Sequence, residues 1–320
     1  MRYPFQFSYV CSIKNYNYLF ILLLPIILLS NCSIKKFAVN SIADSITEGT
    51  GSVFASDDDP ELIAQALPFT LKSLEALHKA TPENQNLLLA TASGFVQYGH
   101  AFILPKAEDL AKNELEKSRH EKLRAKKIFV RARDYCFEAL ELKYPGIVIE
   151  LQGNPVKALL KTDKSDVPLL YWTGVAWISA IVADKTDLGL VADLQIVTAI
   201  METALKLDPD WDQGTLHEFF IAFNASRSAA EGGGIKSAEE HYNQAMKLNK
   251  GKSITPVVSL AESVCIPEQD YSKFKTLLVQ VLEFDVNQFP ENRLANILAQ
   301  RKAKMLLDNK DLYFVNTNTN

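Results

Sequence analysis

The chain has 320 residues, of which 48% are hydrophobic, and a formal net charge of −4 at pH 7. An acidic chain without a basic stripe argues against a nucleic-acid partner. The length is sufficient for one large helical domain or a helical repeat array with a sizeable core.

The first 31 residues have the pattern of a secretory signal peptide. Arg2 and Lys14 are their only charges, and residues 19–29 form an apolar run that is too short to span a bilayer as a helix. The run ends in Leu-Ser-Asn-Cys, which resembles the bacterial lipoprotein signal and predicts that Cys32 carries lipid. The alternative is an ordinary signal peptide with a chance cysteine. Ser33, and not aspartate, follows the cysteine, which favours an outer-membrane anchor facing the periplasm.

Residues 32–56 are small and polar, which predicts a lipidated N-terminus and a flexible tether. The folded domain is predicted over residues 57–314. At its start, Asp59 is placed to cap a helix and Pro60 to occupy the first helical position. A disordered tail is predicted over residues 315–320.

The apolar residues of the domain recur with helical spacing, and no sustained alternation indicates a strand. We therefore predict an all-α fold, with about 10–13 helices in one compact domain. One further helix is predicted around Ala238, Tyr242 and Ala245. The other predicted helices cover approximately residues 60–79, 86–103, 105–127, 128–142, 154–160, 167–182, 191–207, 211–223, 255–265, 271–287 and 291–307.

Residues 201–223, METALKLDPDWDQGTLHEFFIAF, predict a joint between two helical hairpins. Pro209 ends one helix, and Trp211 is predicted to open the next. A small residue, a proline and then a tryptophan are typical of the joints in tetratricopeptide (TPR) repeats. Trp172 and Trp211 lie 39 residues apart, compared with a TPR period of about 34. The fold is therefore predicted to be a degenerate TPR-like helical-hairpin array that resembles an α-solenoid.

Two cysteines remain in the predicted domain. Cys136 and Cys265 both lie in apolar helical patterns. This placement predicts buried free thiols rather than a disulfide, even in an oxidising compartment.

The chain lacks the motifs of common catalytic and cofactor sites. His217 and Glu218 begin a metalloprotease-like pattern whose second histidine is missing, and residues 251–253 end a phosphate-loop pattern whose first glycine is missing. No Gly-x-Ser-x-Gly sequence occurs, and the five histidines do not pair at ligand spacing. These observations predict a protein that is not an enzyme, with no metal and no cofactor.

Six segments, in order, resemble the TatT family of lipoproteins that accompany TRAP (tripartite ATP-independent periplasmic) transporters. They are DDDPELIAQALPFTLKSLEAL at 57–77, GFVQYGHAF at 94–102, YWTGVAW at 171–177, DPDWDQGTLHEFF at 208–220, GGGIKSAEEHYNQA at 232–245 and NRLANILAQRKAKMLL at 292–307. The resemblance implies an all-helical periplasmic domain with TPR-like hairpins, association with a TRAP solute-binding protein, and a homotrimer as one assembly. That partner would deliver small, often apolar or anionic solutes. The family brings no catalytic mechanism.

Three functions are compatible with these observations. The chain could be an adaptor for the solute-binding protein, a carrier that passes a hydrophobic or anionic solute, or a generic scaffold for another envelope complex. TPR-like arrays bind partners on the concave side, which is lined by the first helix of each pair. The large or polar residues on these predicted helices are the candidate binding residues, and the alternative is that they belong to the core: Tyr98, Tyr171, Trp177, His217, Phe220 and Asn224.

Overall fold

The computed structural model describes residues 53–315. The predicted signal peptide, Cys32, most of the tether and the end of the tail lie outside this range. Within it the chain is 80% helical, forms one compact domain and contains no strand, which confirms the all-α prediction.

Fifteen α-helices make up the described part of the chain. In order they are α1 Pro60–Ala80, α2 Gln85–Tyr98, α3 Leu104–Leu110, α4 Leu115–Lys143, α5 Ile147–Gly153, α6 Pro155–Ala158, α7 Val167–Ala183, α8 Leu188–Ala192, α9 Leu194–Leu207, α10 Thr215–Ala225, α11 Ile235–Asn249, α12 Thr255–Leu260, α13 Tyr271–Leu282, α14 Arg293–Asp308 and α15 Lys310–Tyr313. The count exceeds the predicted number in part because α5, α8 and α15, which have only four to seven residues, were not predicted. Helices of this length show no apolar period.

The first helix begins where the sequence indicates. The Asp59 side chain accepts a hydrogen bond from the Leu62 amide at 2.9 Å, and Pro60 is the first helical residue. Pro68 lies inside α1 without ending it. The cap satisfies one amide that no carbonyl of the helix can reach.

The larger core lies between α1, α2, α4, α7 and α9. Phe129 of α4 is fully buried at its centre. A Cβ added to Gly99 would lie 2.4 Å from the Phe129 Cε1 atom, so the glycine allows the ring to approach the helix backbone. Gly99 begins a π-helical turn, Gly99–Ile103, that continues α2 into α3.

Two segments of this core, residues 85–110 and 164–183, are as long and apolar as membrane spans, each with a mean hydropathy of 1.4. Core helices of soluble proteins pass the same test, and α2 and α7 pack against each other and against α4. In the most apolar stretch of residues 85–110, however, only 44% of the residues are buried. Part of its apolar surface therefore remains accessible.

A buried carboxylate fixes the start of α7. Asp166 is 3% exposed and accepts hydrogen bonds from the Lys143 ammonium at 2.6 Å and the Tyr144 hydroxyl at 2.7 Å. The backbone amide of Asp163 also donates to it at 2.9 Å. The Lys143 and Tyr144 donors connect the end of α4 to the beginning of α7.

The prediction that Trp211 opens a helix is wrong by four residues. Trp211–Gly214 form a 3₁₀ turn in which Asp212, Gln213 and Gly214 have φ values of 46°, 57° and 93°, and α10 begins at Thr215. Left-handed residues cannot continue a right-handed helix. Gly214 suits this turn because a Cβ there would be strained and would lie 3.2 Å from the Cα atom of Ala245.

The C-terminal helices form a second core. Phe274 and Leu278 are fully buried there, and Phe314 packs against Phe274 with ring centroids 4.8 Å apart. Lys302 of α14 joins this core to the first through ion pairs with Glu108 and Glu262, each at 2.8 Å.

The cysteine prediction is confirmed. Cys136 and Cys265 are free and buried. Burial raises the pKa of Cys136 to about 12 and that of Cys265 to about 11. Both side chains therefore remain unreactive thiols at neutral pH.

Candidate functional site

Three of the six candidate binding residues lie in the core. Trp177 is 3% exposed, Phe220 3% and Asn224 4%. Trp177 donates a hydrogen bond to Asp193 at 3.2 Å, and Asn224 donates one to the Ser237 hydroxyl at 2.9 Å. A surface role for these three residues does not fit this burial, because their side chains already pack between helices.

Tyr98 lies half-buried where α2 faces α4. Its hydroxyl accepts a hydrogen bond from Arg124 at 3.1 Å, and the guanidinium carbon lies 5.9 Å from the ring centroid. Tyr98 is therefore accessible, but its polar tip already has a partner.

His217 forms an unexpected pair with His241. Their Nδ1 atoms are 2.8 Å apart, so one ring donates its proton to the other. Burial lowers the pKa of both rings, and the neighbouring His217 lowers that of His241 further, to about 4. The Phe220 ring stacks on His241 at 5.0 Å. The pair is neutral at neutral pH and connects α10 to α11.

Tyr171 lies in an aromatic cluster on α7. Its ring centroid is 5.0 Å from that of Trp172 and 4.9 Å from that of Trp211. All three side chains are partly accessible. The Tyr171 hydroxyl has no hydrogen-bond partner in the part of the chain that the structure describes.

Two carboxylates lie beside this cluster, and sequence reasoning assigned no role to either. Glu218 of α10 and Asp212 of the preceding turn both act electrostatically on Tyr171. Glu218 accepts a hydrogen bond from the Thr255 hydroxyl at 2.9 Å, and Asp212 accepts one from the Thr215 hydroxyl at 3.1 Å. No cationic side chain within residues 53–315 pairs with either. We call Tyr171, Trp172, Trp211, Asp212 and Glu218 the aromatic–carboxyl site.

The Glu218 side chain is half-buried. Burial raises its pKa to about 7, and the nearby Asp212 charge acts in the same direction. Burial also raises the pKa of Tyr171. Both side chains nevertheless keep part of their surface accessible. Glu218 and Tyr171 are therefore half-buried side chains with some surface left for a ligand.

The accessible surface continues along α7. Tyr171, Val175, Ile178 and Val182, at positions i, i+4, i+7 and i+11, are all partly or largely accessible. At the same end of α7 as Ile178, a ring nitrogen of His100 lies 2.7 Å from the Ser179 hydroxyl, and burial around this ring nitrogen lowers the pKa of the histidine to about 4. An apolar stripe therefore leads away from the aromatic–carboxyl site.

The site offers binding groups rather than a catalytic arrangement. No group of three or more His, Cys, Asp or Glu side chains among residues 53–315 is placed to hold a metal. Aromatic rings, an unpaired carboxyl and an apolar stripe can hold a ligand with a polar head and an apolar body. The sequence signal for Glu218 was present, since it is a lone acid on the apolar stretch LHEFFIAF.

Comparison with known proteins adds two findings. A family model described as "TRAP transporter T-component" matches residues 56–314. A protein of Treponema pallidum (strain Nichols), described as uncharacterized, is 28% identical over 297 residues, which cover 88% of this chain and 92% of that protein.

Proposed function

Because this chain belongs to the TRAP transporter T-component family, we propose that it is an adaptor that binds the solute-binding protein of a TRAP system and contacts the transported solute. The family match, which covers nearly the whole described domain, carries the proposal. The family is transport-associated and is not a known enzyme family. The aromatic–carboxyl site and the α7 stripe provide a surface for solute contact.

A lipid on Cys32 would hold the adaptor at the outer membrane, facing the periplasm. The Leu-Ser-Asn-Cys ending of the apolar run supports this proposal, and stable anchoring needs more than one acyl chain. Growth with labelled palmitate should label the wild-type chain and leave Cys32→Ser unlabelled. Equal labelling of both chains would contradict lipid attachment at Cys32.

Docking to the TRAP solute-binding protein can be tested with the Cys32→Ser chain. This variant has no lipid attachment site, so its binding does not depend on a membrane anchor. Purified Cys32→Ser chain should co-sediment in analytical ultracentrifugation with a purified TRAP solute-binding protein from the same organism. The same experiment reports whether the chain forms a homotrimer. An unrelated periplasmic binding protein is the matched control. The adaptor proposal fails if the TRAP binding protein co-sediments no more than the control does.

A stand-alone carrier for a hydrophobic solute is the second candidate. The partly accessible stripe from Tyr171 to Val182 favours it, since apolar surface left in contact with water often marks a ligand site. A carrier would bind the solute in the absence of the TRAP solute-binding protein. An adaptor would bind the TRAP solute-binding protein whether or not it bound solute by itself. A generic scaffold would bind other envelope proteins and no TRAP component.

A further inference from the structure

We propose that the aromatic–carboxyl site binds an organic ammonium ion, with the apolar part of that ligand lying along the α7 stripe. The inference deepens the proposed function and rests on it for the premise that this chain meets a solute. It names a ligand class that neither the family nor the relative provides.

The aromatic rings are suited to a cation. The negative π faces of tryptophan and tyrosine attract ammonium groups within about 6 Å of the ring centroid, and aromatic clusters recognise quaternary ammonium ligands in this way. The ring centroids of Trp172 and Trp211 lie 5.0 Å and 4.9 Å from that of Tyr171. Each keeps accessible surface, so a ligand can reach the cluster.

The charges at the site select the same ligand. Burial and then the charge of Asp212 raise the pKa of Glu218, and burial and then the charges of Glu218 and Asp212 raise the pKa of Tyr171, so both carboxylates act on the cluster. No Lys, Arg or His of the described chain neutralises either carboxylate. An enclosed carboxylate without a counter-ion is unfavourable, and a ligand cation would remove that penalty. An anionic head would instead meet two like charges.

The neighbouring surface accommodates the rest of the ligand. Val175 and Ile178 follow Tyr171 on one face of α7, and both remain partly accessible. A ligand with its ammonium group at Glu218 could therefore place an alkyl chain along this face. Simple inorganic cations would use the carboxylates but not the rings or the stripe.

The probe is hexyltrimethylammonium, titrated into the full mature chain in a neutral detergent. Binding is followed by calorimetry and by tryptophan fluorescence, since Trp172 and Trp211 flank Tyr171. Hexanol and hexanoate share the alkyl chain and replace the positive head with a neutral or a negative one. We expect saturable binding of the ammonium compound only. Equal or tighter binding of hexanol or hexanoate, or no binding of the ammonium compound, would overturn the proposal.

Glu218→Gln tests the assignment of the head group. The substitution keeps the shape and removes the charge, so we expect the affinity to fall about tenfold or more, equivalent to about 1.4 kcal/mol. Tyr171→Leu should have a similar effect, and Glu240→Gln, an exposed substitution on α11, should have none. Unchanged affinity in Glu218→Gln would refute the site even if Tyr171→Leu fails to fold. Ammonium binding is measured without the solute-binding protein, and docking without the ammonium compound, so either proposal can fail alone.

Discussion

Phe129→Ala should lower the free energy of unfolding by about 3–5 kcal/mol, the range for a fully buried aromatic residue replaced by alanine. Phe129 is 0% exposed and its ring lies 4.9 Å from that of His100. It fills the space between α4 and the π-helical turn Gly99–Ile103, so truncation would leave a cavity that rigid helices cannot close. Urea unfolding monitored by circular dichroism measures the change. A loss below about 1 kcal/mol would show that the helices collapse into the space.

Gly99 provides the complementary test. A Cβ at Gly99 would lie 2.4 Å from Phe129 Cε1, so Gly99→Ala should cost about 1–3 kcal/mol through overpacking. The cost should shrink in a Phe129→Leu background, because the smaller side chain leaves room for the methyl group. Gly153→Ala is the matched control, since nothing lies within 4 Å of its added Cβ. Additive effects of Gly99→Ala and Phe129→Leu would contradict the direct contact.

Local pattern predicted the long apolar helices because burial leaves a period in the sequence. The helix predicted over residues 167–182 is α7, Val167–Ala183. The highly charged segment after Pro105 was predicted less well. One helix was predicted from Pro105 to residue 127, but the chain leaves the helix after α3 and begins α4 at Leu115. A segment with few apolar residues has no period to show where a helix breaks.

The candidate site could be predicted only in part, because burial of an aromatic residue depends on distant elements. Tyr171 and Trp177 are both large residues on α7, and only the packing of α4 against one face makes Trp177 a core residue, with its ring 5.0 Å from that of Phe137. Likewise, the surroundings of Glu218 include Thr255 and Tyr171, which are far away in sequence. No local pattern contains these contacts.

The pH dependence of stability should reveal Glu218 directly. The folded-state pKa is about 7, against an ordinary value of 4.5. Between these values the folded chain binds a proton that the unfolded chain has lost, so stability must fall as pH rises through this window. The stabilisation that protonation provides is complete below pH 4.5 and lost above pH 7. The physical cause is the enclosed carboxyl, whose only hydrogen-bond donor among residues 53–315 is the Thr255 hydroxyl.

We therefore expect Glu218→Gln to stabilise the chain by about 2 kcal/mol at pH 8 and to have little effect at pH 4. The value at pH 8 is smaller than the energy equivalent of the full pKa shift, because solvent screens a carboxyl that is partly accessible. Glutamine keeps an acceptor for Thr255 and removes the charge that the site cannot neutralise. Chemical unfolding at a series of pH values measures the effect, with Glu240→Gln as the exposed control. A constant difference between wild type and Glu218→Gln across this range would mean that Glu218 ionises freely. The rise in stability at pH 8 and the loss of ammonium binding in the same variant would then have one cause, an enclosed charge that lacks a cationic partner in the described part of the chain.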